Sequence, residues 1–171
     1  INVAVQDDSL YSSYAFKDYV LEIPAVVRHE GRSYRVKEIE KYAFTTCCAI
    51  KHLKIGEGIE AISDYAFQAC ANLESVSIPS SIRVVGAAPF QYCTSLTTIV
   101  VDKTNPIFDS REGCNAIIKT KDNSLIVGCG ATKIPSSVRC IDKYAFMGCQ
   151  AEEFAIPDGV KRINFFAFSS C

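Results

Sequence analysis

The sequence has no long hydrophobic run, no excess of charge of either sign and few histidines. Its longest apolar run falls far short of the ~20 residues that a membrane-spanning helix needs. The 18 basic and 19 acidic residues leave a net charge of −1, which gives no overall attraction to nucleic acid or to an anionic membrane. Hydrophobic residues make up 49% of the 171 residues and charged residues 22%, close to the average globular composition. We therefore expect a single folded domain without a membrane span.

The signatures of common catalytic and cofactor sites are also absent. The chain contains no phosphate-binding loop, no dinucleotide-binding glycine motif, no Gly-x-Ser-x-Gly and no His-Glu-x-x-His. A cysteine nucleophile needs a base within hydrogen-bonding reach, and the two histidines are His29, in a predicted turn, and His52, which points outward from a predicted strand. Neither histidine has an evident partner in the sequence. The prediction is a protein without enzymatic activity and without a cofactor, and a thiol enzyme is the weakest alternative.

Cysteine, in contrast, is abundant, with nine residues. Five of them end a repeated Phe-x-x-Cys motif: KYAFTTC at 41–47, DYAFQAC at 64–70, APFQYC at 88–93, KYAFMGC at 143–149 and FFAFSSC at 165–171. The five motif phenylalanines are separated by 23, 23, 56 and 22 residues, since they stand at positions 44, 67, 90, 146 and 168. A fixed period of this length is typical of a repeat protein.

Each repeat unit reads Ile-x-x-x-Ala-Phe-x-x-Cys-x-x-Leu-x-x-Val-x-Ile-Pro-x-x-Val. Val76 and Ile78 alternate with polar residues, as in a short strand with one buried face, and Pro79 ends that strand. The spacing in Ala-Phe-x-x-Cys predicts a single helical or 3-10 turn. Because a unit of ~23 residues cannot bury these side chains alone, neighbouring units must stack strand beside strand. The expected fold class is an α+β repeat solenoid.

In such a solenoid, equivalent side chains form ladders that run from coil to coil. The predicted structural ladder contains Phe44, Cys47, Phe67, Cys70, Phe90, Cys93, Phe146, Cys149, Phe168 and Cys171. A zinc site would need cysteines that converge on one point, whereas these recur once per coil. A free cysteine behaves as a small hydrophobic residue, so we predict structural thiols and no metal site. Disulfides along the row stay open, because strand spacing alone does not orient the Cβ atoms.

Two segments depart from the repeat. Residues 1–36 are predicted to form an N-terminal cap with a hairpin at Glu30 and Gly31, and residues 102–131 an irregular hairpin insert that a binding partner would contact. A register that pairs Lys119 with Ser124 also pairs Cys114 with Cys129. These two cysteines form either a disulfide or two buried thiols. Acidic and amide residues at 102–112 fit no calcium-binding loop and are assigned to turns.

The repeated motifs resemble the BspA-like leucine-rich repeats found on bacterial surface proteins and in some protozoan parasites. The resemblance covers roughly residues 20–171 and rests on the IPxSV and YAFxxC motifs, on LEIPAVVRHEGRSYRVKEI at 21–39 and on NPIFDSREGCNAIIKTKDNSLIVGC at 105–129. Of the glycines that the family usually carries before the aromatic motif, only Gly86 is kept. The resemblance implies a right-handed coil, a secreted or cell-surface location, and adhesion or host contact.

The whole chain, 1–171, is therefore predicted to be one leucine-rich repeat domain, with regular repeats at 37–101 and 132–171. The candidate binding face consists of the outward residues of the repeat strands, namely His52, Lys54, Ser75, Ser77, Thr98, Val100, Glu153 and Ala155. We expect a non-catalytic module that binds a protein or a glycan, for example a host matrix protein. The alternative is a structural spacer without a ligand. Because Cys171 closes a motif without a following strand, we also expect end-to-end self-association or continuation of the chain there.

Overall fold

The computed structural model describes residues 19–171, which form short strands joined by turns. In chain order the strands are β1 (Val20–Ile23), β2 (Val26–His29), β3 (Arg32–Arg35), β4 (Glu38–Ile39), β5 (His52–Ile55), β6 (Ala61–Ile62), β7 (Ser75–Ile78), β8 (Val84–Val85), β9 (Thr98–Val101), β10 (Phe108–Asp109), β11 (Ile117–Lys119), β12 (Ser124–Val127), β13 (Cys140–Ile141) and β14 (Arg162–Ile163). Within residues 19–171, no helix has the length and hydrophobicity needed to cross a bilayer.

The regular coils build two parallel sheets. The first has the order β1-β5-β7-β9, and the second has the order β4-β6-β8. In the first sheet, Leu53, Val76 and Ile99 lie side by side in register and are buried. Alternation of inward apolar and outward polar residues fixes this register, because a one-residue slip would turn the buried set toward solvent. Both sheets contribute to one hydrophobic core, to which Ile39 and Ile62 of the second sheet also belong.

The Phe-x-x-Cys motif does not form the predicted helical turn. In every copy the residue two positions before Phe, for example Tyr42 or Tyr65, has a positive φ between 46° and 62°. The residue two positions after Phe is also left-handed, with φ between 57° and 73°. These residues interrupt any helix and leave separate turns, such as the one closed by the Cys70 N–H and the Phe67 carbonyl at 3.3 Å. Other backbone groups of the motif bond to the next coil: the Phe67 N–H donates to the Pro89 carbonyl at 2.8 Å. The prediction of helical turns is wrong, and no α-helix is found between residues 19 and 171.

The insert is a structural part of the stack. Strands β10, β11 and β12 join two later repeat strands in a five-stranded sheet of order β10-β11-β12-β13-β14. Ile117 and Val127 pack into the core of the preceding coils, whereas Ile118 and Leu125 pack into a second core with the following coils. The expectation that the insert is displayed to a partner is therefore wrong for Ile117, Ile118, Leu125 and Val127, which are buried between the two cores, whereas Lys119 and Ile126 are only partly buried.

The cysteines of the insert are both free and buried. Strands β11 and β12 pair with Lys119 opposite Ser124, as the sequence predicts, but the register shifts by one residue between Ile117 and Ile118. This bulge ends the register that would place Cys114 opposite Cys129. The two thiols also belong to different cores, Cys114 to the second and Cys129 to the first. The structure thus has two buried thiols here and no disulfide.

The N-terminal hairpin consists of β2 and β3, which pair antiparallel. Its two-residue turn, Glu30 and Gly31, has φ values of 48° and 75°, as a type I′ turn requires. Of the predicted cap at 1–36, residues 1–18 lie outside the described residues.

Candidate functional site

The outward residues of the first sheet form two rows, which we call the sheet face. One row contains Val20, His52, Ser75 and Thr98, and the other contains Glu22, Lys54, Ser77 and Val100. Six of the predicted face residues, from His52 to Val100, thus lie side by side as expected. Val20 and Glu22 extend the rows, and the sequence-based prediction missed them because it places residues 1–36 in the N-terminal cap. The Leu-x-Ile-Pro sequence at 21–24, which matches 76–79, is the signal that would have found them.

The structure contradicts the placement of Glu153 and Ala155 on this face. Both lie outside any strand and line a separate depression of about 350 Å³ together with Lys133, Ile134 and Ile156. Strand β9 ends the first sheet, because the insert strands β10 and β11 lie beyond it. The Val101 N–H at this edge donates to a side-chain hydroxyl of the insert at 3.0 Å, instead of to another repeat strand.

The sheet face contains one side-chain pair that the sequence did not reveal. The Nδ1 atom of His52 lies 2.8 Å from the Ser75 hydroxyl of the neighbouring coil. A serine nucleophile also requires a third group that orients the histidine. No carboxylate of the described residues hydrogen-bonds to the His52 ring. Within the described residues, the pair thus fixes the positions of two side chains in the row and lacks the third group of a triad.

The charges near the sheet face differ in their pairing. Lys51 pairs with Glu74 of the next coil at 3.1 Å, and Lys37 pairs with Glu60. In contrast, the Lys54 ammonium is exposed and has no ion-pair partner among the described residues. It lies opposite Glu22 in register, so one row carries a cation and an anion at one end and apolar Val100 at the other. Such a surface offers a partner both charged and apolar contacts.

The motif cysteines serve the stacking of coils. The Cys70 thiol donates to the Phe44 carbonyl of the preceding coil at 3.0 Å, and the Cys93 thiol donates to the Phe67 carbonyl at 3.2 Å. Burial raises the pKa of Cys47 to about 11, so this thiol stays protonated at neutral pH. In the described part of the chain, no group of three or more potential ligands could hold a metal ion. Cys171 departs from the prediction because it is exposed, although its thiol still donates to the Phe146 carbonyl.

The phenylalanine ladder is continuous on each side of the insert. Phe67 stacks on Phe44 with ring centroids 5.1 Å apart and on Phe90 at 5.5 Å. Phe146 stacks on Phe168 at 4.9 Å. Between the two groups, Gly128 of the insert lies against Phe146, where a β-carbon would overlap the ring. The insert thus replaces one aromatic layer with backbone.

Solved structures of several bacterial proteins are similar to this chain. The chain is similar to the pneumococcal vaccine antigen PcpA, with 24% identity and a TM-score of 0.69 over 88% of this chain and 36% of that one. It is also similar to a leucine-rich repeat protein from Bacteroides ovatus, with 27% identity and a TM-score of 0.50 over 84% of this chain and 29% of that one. A leucine-rich repeat protein from Eubacterium ventriosum is similar with 15% identity and a TM-score of 0.55 over 86% of this chain and 50% of that one. The chain thus spans half or less of the length of each. No functionally curated protein matches it.

A family model for the BspA type leucine rich repeat region matches residues 12–116 and 128–171, in six copies. The two matched ranges leave out 117–127, which contains β11 and β12. With the period of the motifs and the parallel stacking of the coils, this match establishes that the chain belongs to the BspA-type leucine-rich repeat family.

Proposed function

We propose that the chain is a non-catalytic binding module of a secreted or cell-surface bacterial protein, and that its sheet face contacts the partner. The observation that carries this proposal is the in-register array of outward side chains on four parallel strands. Solenoids use extended faces of this kind for binding. The similarity to a pneumococcal vaccine antigen supports a location at the bacterial surface.

The chemistry of the sheet face favours a protein or a glycan as the partner. Ser75, Ser77 and Thr98 supply hydroxyl groups that both donate and accept hydrogen bonds. Their short side chains leave the surface flat, so an extended partner can contact all four strands. Lys54 supplies one exposed positive charge next to Glu22, which is too little for a phosphate backbone. A host matrix protein is the partner class that the family resemblance implies.

Binding to immobilised extracellular-matrix proteins and to printed glycans tests the proposal. The variant Lys54→Glu, Ser77→Arg, Val100→Glu changes one row without touching the core, and the loss of affinity expected from such surface changes is at least about 10-fold. A control matched in the number of substitutions and in net charge changes three exposed residues away from the sheet face, Lys103→Glu, Lys161→Glu and Glu152→Lys, and should retain binding.

Either of two results would reject the sheet face as the contact surface. One is that the row variant, with an unchanged unfolding midpoint, binds as tightly as the wild type. The other is that no matrix protein or glycan binds the wild-type chain, which would favour a spacer.

End-to-end association stays a prediction. The last coil exposes Phe165 and Phe166, with 59% and 61% of their surfaces accessible, and Ile163 of strand β14. Another coil, either of the same protein or of a second copy, would cover these apolar side chains. Sedimentation equilibrium of the chain and of a Phe166→Asp variant tests the second possibility, because a self-associating chain should become monomeric after the substitution.

A further inference from the structure

One coil lacks the outward side chains that its neighbours carry just before the Phe-x-x-Cys motif. The three positions are Ser63-Asp64-Tyr65 in the preceding coil and Asp142-Lys143-Tyr144 in the following regular coil, but Gly86-Ala87-Ala88 in the coil between them. The loss of these side chains leaves a depression of about 270 Å³ at the ends of β8 and β12, apart from the sheet face.

The floor of this depression is small and apolar, and its shape is fixed by close backbone contacts. It consists of Val85, Gly86, Ala87 and Ile126. A β-carbon at Gly86 would lie 2.5 Å from the Asp64 backbone nitrogen, so only glycine fits there. The Gly86 N–H donates to a carbonyl of the preceding coil at 2.8 Å. The shape of the floor is therefore fixed by the stacking of the coils.

The walls carry four charged side chains, Asp64, Asp142, Lys119 and Lys143. Asp64 accepts a hydrogen bond from the Ala87 N–H at 2.7 Å. Asp142 accepts one from the Lys143 N–H at 2.8 Å and one from the Asn164 side-chain amide at 2.9 Å, so both carboxylates are held in fixed orientations. Within the described residues, neither the Lys119 nor the Lys143 ammonium has a hydrogen-bond or ion-pair partner. The depression thus presents oriented acceptors and unpaired donors around an apolar floor.

We propose that this depression binds one neutral hexopyranose residue of a glycan. Two carboxylates and two ammonium groups give the walls no net charge, which favours a neutral ligand over an anion or a cation. Sugar hydroxyls both donate and accept hydrogen bonds, so they can satisfy both kinds of wall group. The apolar floor suits the C–H face of a pyranose ring. The volume lies near the lower limit of ligand pockets, which fits one sugar residue.

Nuclear magnetic resonance titration of the ¹⁵N-labelled chain tests the proposal. The probes are the methyl glycosides of glucose, galactose and N-acetylglucosamine, and we expect at least one to shift the Gly86, Ala87 and Lys143 amides with a saturable, roughly millimolar Kd. Ala87→Lys introduces the residue type that the motif carries at the equivalent positions Lys41 and Lys143. Its long side chain would fill the depression and should weaken binding at least about 10-fold.

Lys119→Ala is the milder variant, because its ammonium has no partner to lose within the described residues, and it should weaken binding about 3- to 10-fold. Thr46→Lys, at an exposed position of another coil, is the control and should bind as the wild type does. The proposal is overturned if no glycoside gives saturable shifts at these amides, or if Ala87→Lys, folded as judged by the remaining amide signals, binds equally well. It is also overturned if glycine, a zwitterion, shifts the same amides more than any glycoside at equal concentration.

Discussion

Replacing Phe67 by alanine is the most direct test of the ladder that holds the coils together. Phe67 is completely buried and its ring stacks on Phe44 at 5.1 Å and on Phe90 at 5.5 Å. The substitution removes the ring from the middle of three layers, so each neighbouring ring loses its partner on one side. The backbone around Phe67 bonds to both adjacent coils, since the Phe67 N–H donates to the Pro89 carbonyl and the Ala66 carbonyl accepts from the Phe44 N–H, each at 2.8 Å. These bonds limit how far the stack can close around the cavity.

The expected loss in the free energy of unfolding follows from these contacts. A buried Phe→Ala change costs about 3–5 kcal/mol, depending on how well the site can collapse. Each stacked ring pair adds roughly 0.5–1.5 kcal/mol beyond the burial of area. Because Phe67 loses two such pairs in a site that is fixed on both sides, we expect a value near the upper end, about 4–5 kcal/mol.

Urea unfolding followed by far-ultraviolet circular dichroism measures this loss, since the chain has no tryptophan to serve as a fluorescent probe. Phe168→Ala is the matched control: Phe168 stacks on Phe146 at 4.9 Å but is only half-buried in the last coil, so we expect a loss of about 2 kcal/mol. A loss below about 1 kcal/mol for Phe67→Ala would refute the ladder as a source of stability. Equal losses for the two variants would refute the argument from two-sided stacking.

Two further predictions concern buried polar groups and thiols. The Asn105 amide donates to the Ile82 carbonyl at 3.0 Å and accepts from the Phe108 N–H at 2.9 Å, so Asn105→Ala should cost about 3 kcal/mol in urea unfolding by leaving buried backbone groups unpaired. Asn105→Asp should cost at least as much, because a carboxylate oxygen would replace the buried amide nitrogen that lies 3.0 Å from the Pro79 and Ile82 carbonyl oxygens. A loss below about 1 kcal/mol for either variant would contradict this role of Asn105. Burial raises the pKa of Cys47 and of Cys114 from 9.0 to about 11. The unfolded thiols therefore ionise first, and stability that is complete below pH 9 should fall by about 2–3 kcal/mol per thiol as the pH rises to 11. A Cys47→Ala, Cys114→Ala chain that loses stability as steeply over this range would contradict the assignment.

Much of the fold could be predicted because the sequence repeats its chemistry at a constant period. Val76, Ile78 and Pro79 together define a short strand, its buried side and its end, and the same pattern recurs in the neighbouring coils. The register of the sheet face from His52 to Val100 follows directly from that period. The motif turn could not be predicted in the same way. Tyr42 and Tyr65 adopt a left-handed backbone that costs energy locally. Contacts between adjacent coils compensate for it, among them the bond from the Tyr65 N–H to the Ala87 carbonyl and the stacking of the two rings.

The insert shows a second limit of sequence reasoning. Its consecutive apolar residues, Ile117 and Ile118, indicate a strand buried on both faces, a signal that the period of the repeat does not explain. Because the insert strands lie beyond β9, the later coils do not extend the first sheet, and Glu153 and Ala155 leave the sheet face. The binding roles proposed for the sheet face and for the depression at Gly86 depend on surfaces that exist only after the coils stack.

The sequence by itself determines the repeat, the family, the strands and the residues of the ladders, because these depend on local alternation and on a period that is visible in one dimension. The tertiary structure decides the left-handed turns, the burial of the insert and the end of the first sheet. It also decides that Gly86, Ala87 and Ala88 leave a depression whose walls carry charges of both signs, between Asp64 and Lys143. Each of these features depends on contacts between neighbouring coils. The sequence of a single repeat does not specify those contacts or the distance between stacked coils.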